Sequence, residues 1–206
     1  MDIEKGGLQH EIQCQIKKII GVPKHSSTNY LYADRSKAGL GLTSVKTEYS
    51  IQSIVGAFRM LKSRNKEVSK VLQLDLRKAV MIHEKGTNPA TLEEAFNWIN
   101  KGDSGKGFIN WWTKIRLSIH HLKNELGITV LFILNKEDIT ISLNLNTNKG
   151  YSITFKRSNN KQLCEWLHLF AAEANFHKWI KQVSAGQMEE ALGSFPLTSK
   201  LLWDTS

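Results

Sequence analysis

Only three prolines and two cysteines occur in 206 residues. So few prolines, with no long polar tract, exclude an extensively disordered chain. Cys14 and Cys164 sit in stretches of helical periodicity and make no disulfide framework, which fits an intracellular protein, nuclear or cytoplasmic. The longest apolar run, Ile128 to Leu134, falls far short of the roughly 20 residues a spanning helix needs. The opening Met1-Asp2-Ile3-Glu4-Lys5 has no apolar core, so neither a secretion signal nor a membrane partner is expected. Acidic residues are also in short supply: 19 Asp and Glu face 28 Lys and Arg, for a net charge of +9. A basic balance of this size favours polyanions.

The surplus is unevenly spread. Residues 51–90 carry Arg59, Lys62, Arg64, Lys66, Lys70, Arg77, Lys78 and Lys85 against Glu67, Asp75 and Glu84. Residues 127–206 are nearly balanced. A hydrophobic content of 41% over this length supplies a real core for one or two domains.

Periodicity orders the chain. An amphipathic helix is expected from about Leu8 to Ile20, with Ile12, Ile16, Ile19 and Ile20 as its apolar face. A loop to Asn29 and a short extended piece at Tyr30-Leu31-Tyr32 follow. Ser44 then caps a helix to Lys62, whose inner face is Val45, Tyr49, Ile51, Ile54, Val55, Phe58 and Leu61. A third helix runs from about Lys66 to His83 and is ended by Gly86 and Pro89. The capping box Thr91-x-x-Glu94 starts a fourth, carrying Ala95, Phe96, Trp98 and Ile99 inward as far as Lys101-Gly102. After a glycine-rich loop, Gly102 to Gly107, a fifth runs from Phe108 to Leu126.

At Gly127 the period changes to two. Ile128–Leu134, Ile139–Leu145 and Tyr151–Phe155 read as a three-stranded antiparallel meander, covered on one side only. From Asn159 the helical period returns through Leu163, Trp166, Leu167, Phe170, Phe176, Trp179 and Ile180, and Phe195 to Ser206 carries no clear pattern. The expected fold is mainly α with a small antiparallel β-meander, an α+β arrangement.

The most informative stretch runs from Ile19 to Lys62. It holds Val22-Pro23, Asn29, Tyr32-Ala33, Arg35, Gly39-Leu40-Gly41-Leu42, Ser44-Val45, Glu48 and Gln52. Glycines that punctuate an apolar run just before a capped helix signal a tight turn packed closely under that helix. In its order and spacing the stretch resembles the segment after the palm in reverse transcriptases of non-LTR (LINE-type) retrotransposons, the segment that builds the thumb. The resemblance covers roughly residues 10 to 80 and continues through Arg59-Met60-Leu61, Ser63, Val68 and Val71-Leu72. Ala38 stands where the family has the first of two glycines, and Thr43 where it has a proline before the serine.

The resemblance implies a thumb-like helical domain over 1–88 and a connector domain over 89–206, with helices, the meander at 127–156 and C-terminal helices. It further implies binding of template–primer nucleic acid, RNA template and DNA primer, through the phosphate backbone. Lys24, Arg35, Lys37, Arg59, Lys62 and Arg64 are the expected backbone contacts, while Gly39 and Gly41 shape the turn.

Other motifs fail on inspection. Tyr32-Ala33-Asp34-Arg35 resembles the metal-binding Tyr-Ala-Asp-Asp box of a polymerase palm, but Arg35 replaces the second aspartate. The chain therefore lacks the palm carboxylates, and no catalytic residue, metal or cofactor is assigned, although the family is RNA-directed DNA polymerase. Gly102-Asp103-Ser104-Gly105 lacks the next glycine and the all-β context of a serine protease. Gly105-Lys106-Gly107 lacks the Ser/Thr of a phosphate loop. Cys164 and His168 share a helix face at metal-ligand spacing, with His120, His121 and His177 as the available third and fourth ligands. Trp111 and Trp112, interleaved with Lys114 and Arg116, suit base stacking or core packing. The alternative class is a non-enzymatic protein-interaction scaffold, or a domesticated remnant of a mobile element. It predicts scattered charge and an exposed apolar patch. Oligomeric state is not legible.

Overall fold

Caps and apolar periodicity place most elements where the sequence puts them. The computed structural model describes residues 7–86, 90–102, 110–135, 138–146, 151–156 and 159–184. In chain order these form α1 (Gly7–Ile19), α2 (Asn29–Tyr32), α3 (Val45–Leu61), α4 (Lys66–His83), α5 (Leu92–Lys101) and α6 (Trp111–Leu126). Then come β1 (Ile128–Asn135), β2 (Asp138–Leu145), β3 (Tyr151–Phe155) and α7 (Asn160–Ser184). The fold is mainly α with a small antiparallel meander, as expected.

The chain packs as two compact units, residues 46–174 and residues 1–45 with 175–206, whereas sequence reading sets a boundary at 88. Unit 46–174 is built on the meander. β2 pairs with β1 (Val130 opposite Leu143) and with β3 (Leu143 opposite Ile153). α5 and α6 pack on β1, and α4 packs on both helices. Between them lies a core that includes Phe58, Leu76, Phe96, Trp112, Ile115, Phe132, Ile141 and Leu167. Each such side chain contributes roughly 1.5–3 kcal/mol by leaving water. The outer edge of β1 is closed by Asn100 of α5, whose amide donates to Phe132 O and accepts from Phe132 N, both at 2.8 Å.

The capping box at Thr91 and Glu94 forms as expected. A second one, Asn110 with Thr113, starts α6 at Trp111 rather than at Phe108, which lies outside the described residues. The loop through Gly107, both strand turns and Phe195 to Ser206 also fall largely or wholly outside them. Other expectations need correction. Val45 and Tyr49 are exposed, so the inner face of α3 begins later, at Thr47 and Ser50. β2 is closed on both faces, because Thr140 and Ser142 are buried as well as Ile139, Ile141 and Leu143. Thr140 Oγ1 accepts from Asn135 Nδ2 at 3.1 Å, which satisfies it there. Tyr30-Leu31-Tyr32 is helical, not extended.

The smaller unit has its own core of Tyr30, Leu31, Tyr32, Ala33 and Trp179, flanked by Ile16, Val22, Leu40, Leu42, Phe176 and Val183. Here α1 turns its polar side inward. Gln9 and Gln13 both donate to Tyr32 Oη, and Gln9 Oε1 accepts from Val45 N at 2.8 Å. Lys17, only 4% exposed, donates to Lys24 O at 2.9 Å and to Ser26 O. The expected apolar face is thereby split: Ile16 packs against this core, whereas Ile19 and Ile20 are 81% and 39% exposed, and Leu8 beside them is 67% exposed.

Candidate nucleic-acid interface

The glycine turn folds back onto α2 and the two residues after it through four backbone bonds. Gly39 N donates to Asp34 O at 2.9 Å, Leu40 N to Tyr30 O at 3.1 Å, Gly41 N to Ala33 O at 2.8 Å and Leu42 N to Leu31 O at 3.0 Å. The motif residues follow from that geometry. A Cβ on Gly39 would lie 2.2 Å from Ala33 O and 2.6 Å from Ala33 Cβ, so position 39 excludes a side chain and position 33 stays small. Gly41 has φ +64°, in the left-handed region that glycine enters without penalty. Arg35 arches over this turn, and its Nε donates to Leu40 O at 3.1 Å. Asp34 caps the short 3-10 turn Arg35–Lys37, accepting from Ser36 N and Oγ at 2.8 Å each. The Ser36 backbone bond, with the Ser36 hydroxyl, holds the Asp34 carboxyl below the usual carboxylate range.

The six expected contacts divide evenly between the two units. Lys24 is exposed on the loop after α1, whose carbonyl at the same residue is held by Lys17. Arg35 is exposed but engaged on the turn, and Lys37 sits 4.7 Å above the Phe176 ring. In the larger unit, Arg59 and Arg64 are exposed at the end of α3 and in the link to α4. Lys62 lies between them and pairs with Asp138 at the start of β2. That hydrogen bond and charge keep the Asp138 carboxyl below its usual range. Arg59 and Arg64 are thus the freer cations of this trio, with no ion pair among the described residues.

Glu48 and Gln52 of α3 reach Cys164 and His168 of α7. Glu48 Oε2 lies 2.6 Å from His168 Nε2, and Glu48 Oε1 accepts from Gln52 Nε2 at 2.8 Å. Burial pulls the Glu48 carboxyl up, but the bonds from His168 and Gln52 outweigh it and leave it below the usual range. His168 Nδ1 is 2.8 Å from Cys164 O and 3.5 Å from Cys164 Sγ. Burial pushes the Cys164 thiol up, and Glu48 and Glu165 add to that effect. A thiol held protonated is a poor nucleophile and a poor metal ligand. The group is a brace between two helices.

His120 lies instead against Gly102 O at 2.7 Å, and His121 faces Thr47. Among the described residues, no three of His, Cys, Asp and Glu are grouped to hold a metal ion. Trp112 is buried and its Nε1 donates to Asp75 Oδ2 at 3.0 Å, while Trp111 packs edge-on against it, so the pair is core rather than a stacking platform. No helix among the described residues is long and apolar enough to cross a membrane.

Sequence reasoning missed Gln9, Gln13 and Lys17, which read as the solvent side of α1 and hold the small core together. No family model, curated protein or solved structure matches the chain.

Proposed function

We propose that this chain is a thumb-and-connector segment of the LINE-type reverse transcriptase kind, binding template–primer nucleic acid through phosphates without chemistry of its own. The observation that carries the reading is the Tyr32–Leu42 turn. Of the Tyr-Ala-x-Arg and Gly-Leu-Gly-Leu segments by which the sequence resembles that family, Ala33 bonds to Gly41, Asp34 to Gly39 and Arg35 to Leu40 in one turn. The charge around it supports the same reading. The described residues of the smaller unit carry Lys17, Lys18, Lys24, Arg35, Lys37, Lys178 and Lys181 against Glu11 and Asp34. All of these but Lys17 reach the surface or are half-buried.

Contacts of this kind give affinity that is blind to base sequence and falls steeply with salt. The test is a salt titration of binding to an RNA–DNA hybrid, a DNA duplex and a single strand. Each cation that truly meets a phosphate reduces the salt slope by about 1 when replaced by Ala. Arg59→Ala with Arg64→Ala is expected to flatten the slope by about 2, and Lys62→Ala by less than 1 because Asp138 already engages that amine. No binding at low salt overturns the proposal.

A scaffold role is the second reading, favoured by Val71, Leu74 and Ile82, which stand exposed on one side of α4.

A further inference from the structure

The outward stripe of α1 has the geometry of a helix-pairing seam. Leu8, Ile12, Gln15 and Ile19 follow one another at intervals of four, three and four, the a/d spacing of a two-helix contact. Leu8, Gln15 and Ile19 are exposed and Ile12 is half-buried, while Gln9, Gln13 and Lys17 hold the opposite side against the unit's own core. On one flank of the stripe, both exposed, are Glu11 and Lys18, seven residues apart.

We infer that α1 is a self-pairing surface, on which a second copy of this chain lays its own α1 antiparallel across a two-fold axis. The pattern is self-complementary in that arrangement. Leu8 meets Ile19 of the second copy, Ile12 meets Gln15, and by symmetry each contact is made twice. Glu11 then faces Lys18 of the second copy, giving two ion pairs at the rim, whereas a parallel pairing puts the two charged flanks on opposite sides of the seam and makes no such pair. A polyanion is a poorer occupant: the flank carries one charge of each sign, and the apolar side chains would lie against phosphates. Another protein remains the competing occupant, and the test separates it from a second copy.

The measurement is sedimentation equilibrium of the full chain from micromolar to millimolar concentration, with thermal melts as the control for folding. The wild type is expected to show a concentration-dependent monomer–dimer equilibrium. Ile19→Lys, at a position 81% exposed, should leave the melting temperature unchanged and weaken the dimer about tenfold or more. Glu11→Lys alone and Lys18→Glu alone should each weaken it by placing like charges together, and the double exchange should restore it at unchanged net charge. A wild-type chain that stays monomeric across the range overturns the inference and leaves a different protein as the occupant. A dimer that Ile19→Lys does not weaken, or that the double exchange fails to restore, overturns it equally. Nucleic-acid affinity measured on Ile19→Gln, which weakens the seam without adding charge, keeps this result separate from the phosphate-binding proposal and should equal that of the wild type.

Discussion

Gly39 and Gly56 make opposite demands on a methyl group. At Gly39 an added Cβ would sit 2.2 Å from the Ala33 carbonyl oxygen, backbone against backbone. Gly39→Ala is expected to cost about 3 kcal/mol or more, since nothing flexible can give way. Gly56 lies within α3 with nothing within 4 Å of a Cβ. Gly56→Ala should stabilise by about 0.8–1 kcal/mol, the helix-propensity difference. Urea unfolding of the two variants checks both signs at once. Lys17 is the third sensitive position. Lys17→Met strands the carbonyls of Lys24 and Ser26, a loss of about 1–3 kcal/mol. Burial lowers the Lys17 ammonium below its usual value. The unfolded chain then holds that proton to higher pH than the folded one, so stability rises with pH between the two values. In the Met variant this alkaline rise is absent. The glycine turn was legible in the sequence because its chemistry is local. The Lys17 cage was not, for an inward lysine on an amphipathic helix looks like any solvated one.

Helices and strands differ in how openly they announce their partners. The meander was readable because strict alternation in β2 admits few other pairings, and the Thr91 capping box named the start of α5. Periodicity read α1 as an amphipathic helix with Ile12, Ile16, Ile19 and Ile20 inward, but only Ile16 of the four packs against the small core. Polar bonds from Gln9 and Gln13 to Tyr32, and from Val45 to Gln9, set which side faces in. Tyr30-Leu31-Tyr32 read as extended because aromatic residues favour strands, but a four-residue helix is set by its tertiary surroundings rather than by propensity. The edge of β1 rests on Asn100, so Asn100→Ala should cost about 1–2 kcal/mol and raise the tendency to aggregate, measurable by light scattering during a thermal ramp. The bond from α3 to α7 carries a pH signature. Glu48 has a lower pKa folded than unfolded, so its contribution is present above about pH 4 and is lost as pH falls further. Glu48→Gln should flatten that acid limb while costing only about 0.5 kcal/mol at neutral pH, because the pair is partly exposed. Acid titrations of wild type and variant, followed by circular dichroism, decide it.

For the whole molecule, the organisation of the two units leads to unequal autonomy. Residues 46–174 hold their sheet, helices α3 to α6, the first part of α7 and their core on one continuous stretch. That stretch produced alone should unfold cooperatively, whereas residues 1–45 alone should not fold, because Phe176, Trp179 and Val183 complete their core. Amide exchange or circular dichroism on the two pieces gives the answer. Pairings such as Lys62 with Asp138, across 76 positions, are what composition and period leave unread. The arrangement of the smaller unit also bears on synthesis. Its first part leaves the ribosome before the 129 residues of 46–174, and its last part after them. At ~10 residues per second, Tyr30, Leu31 and the glycine turn wait roughly 14–15 s for Trp179. Nascent chains stalled just after residue 174 has cleared the ribosomal exit tunnel should therefore carry a finished larger unit and a protease-sensitive N-terminal segment, and the order in which the protein is made becomes the order in which its units can close.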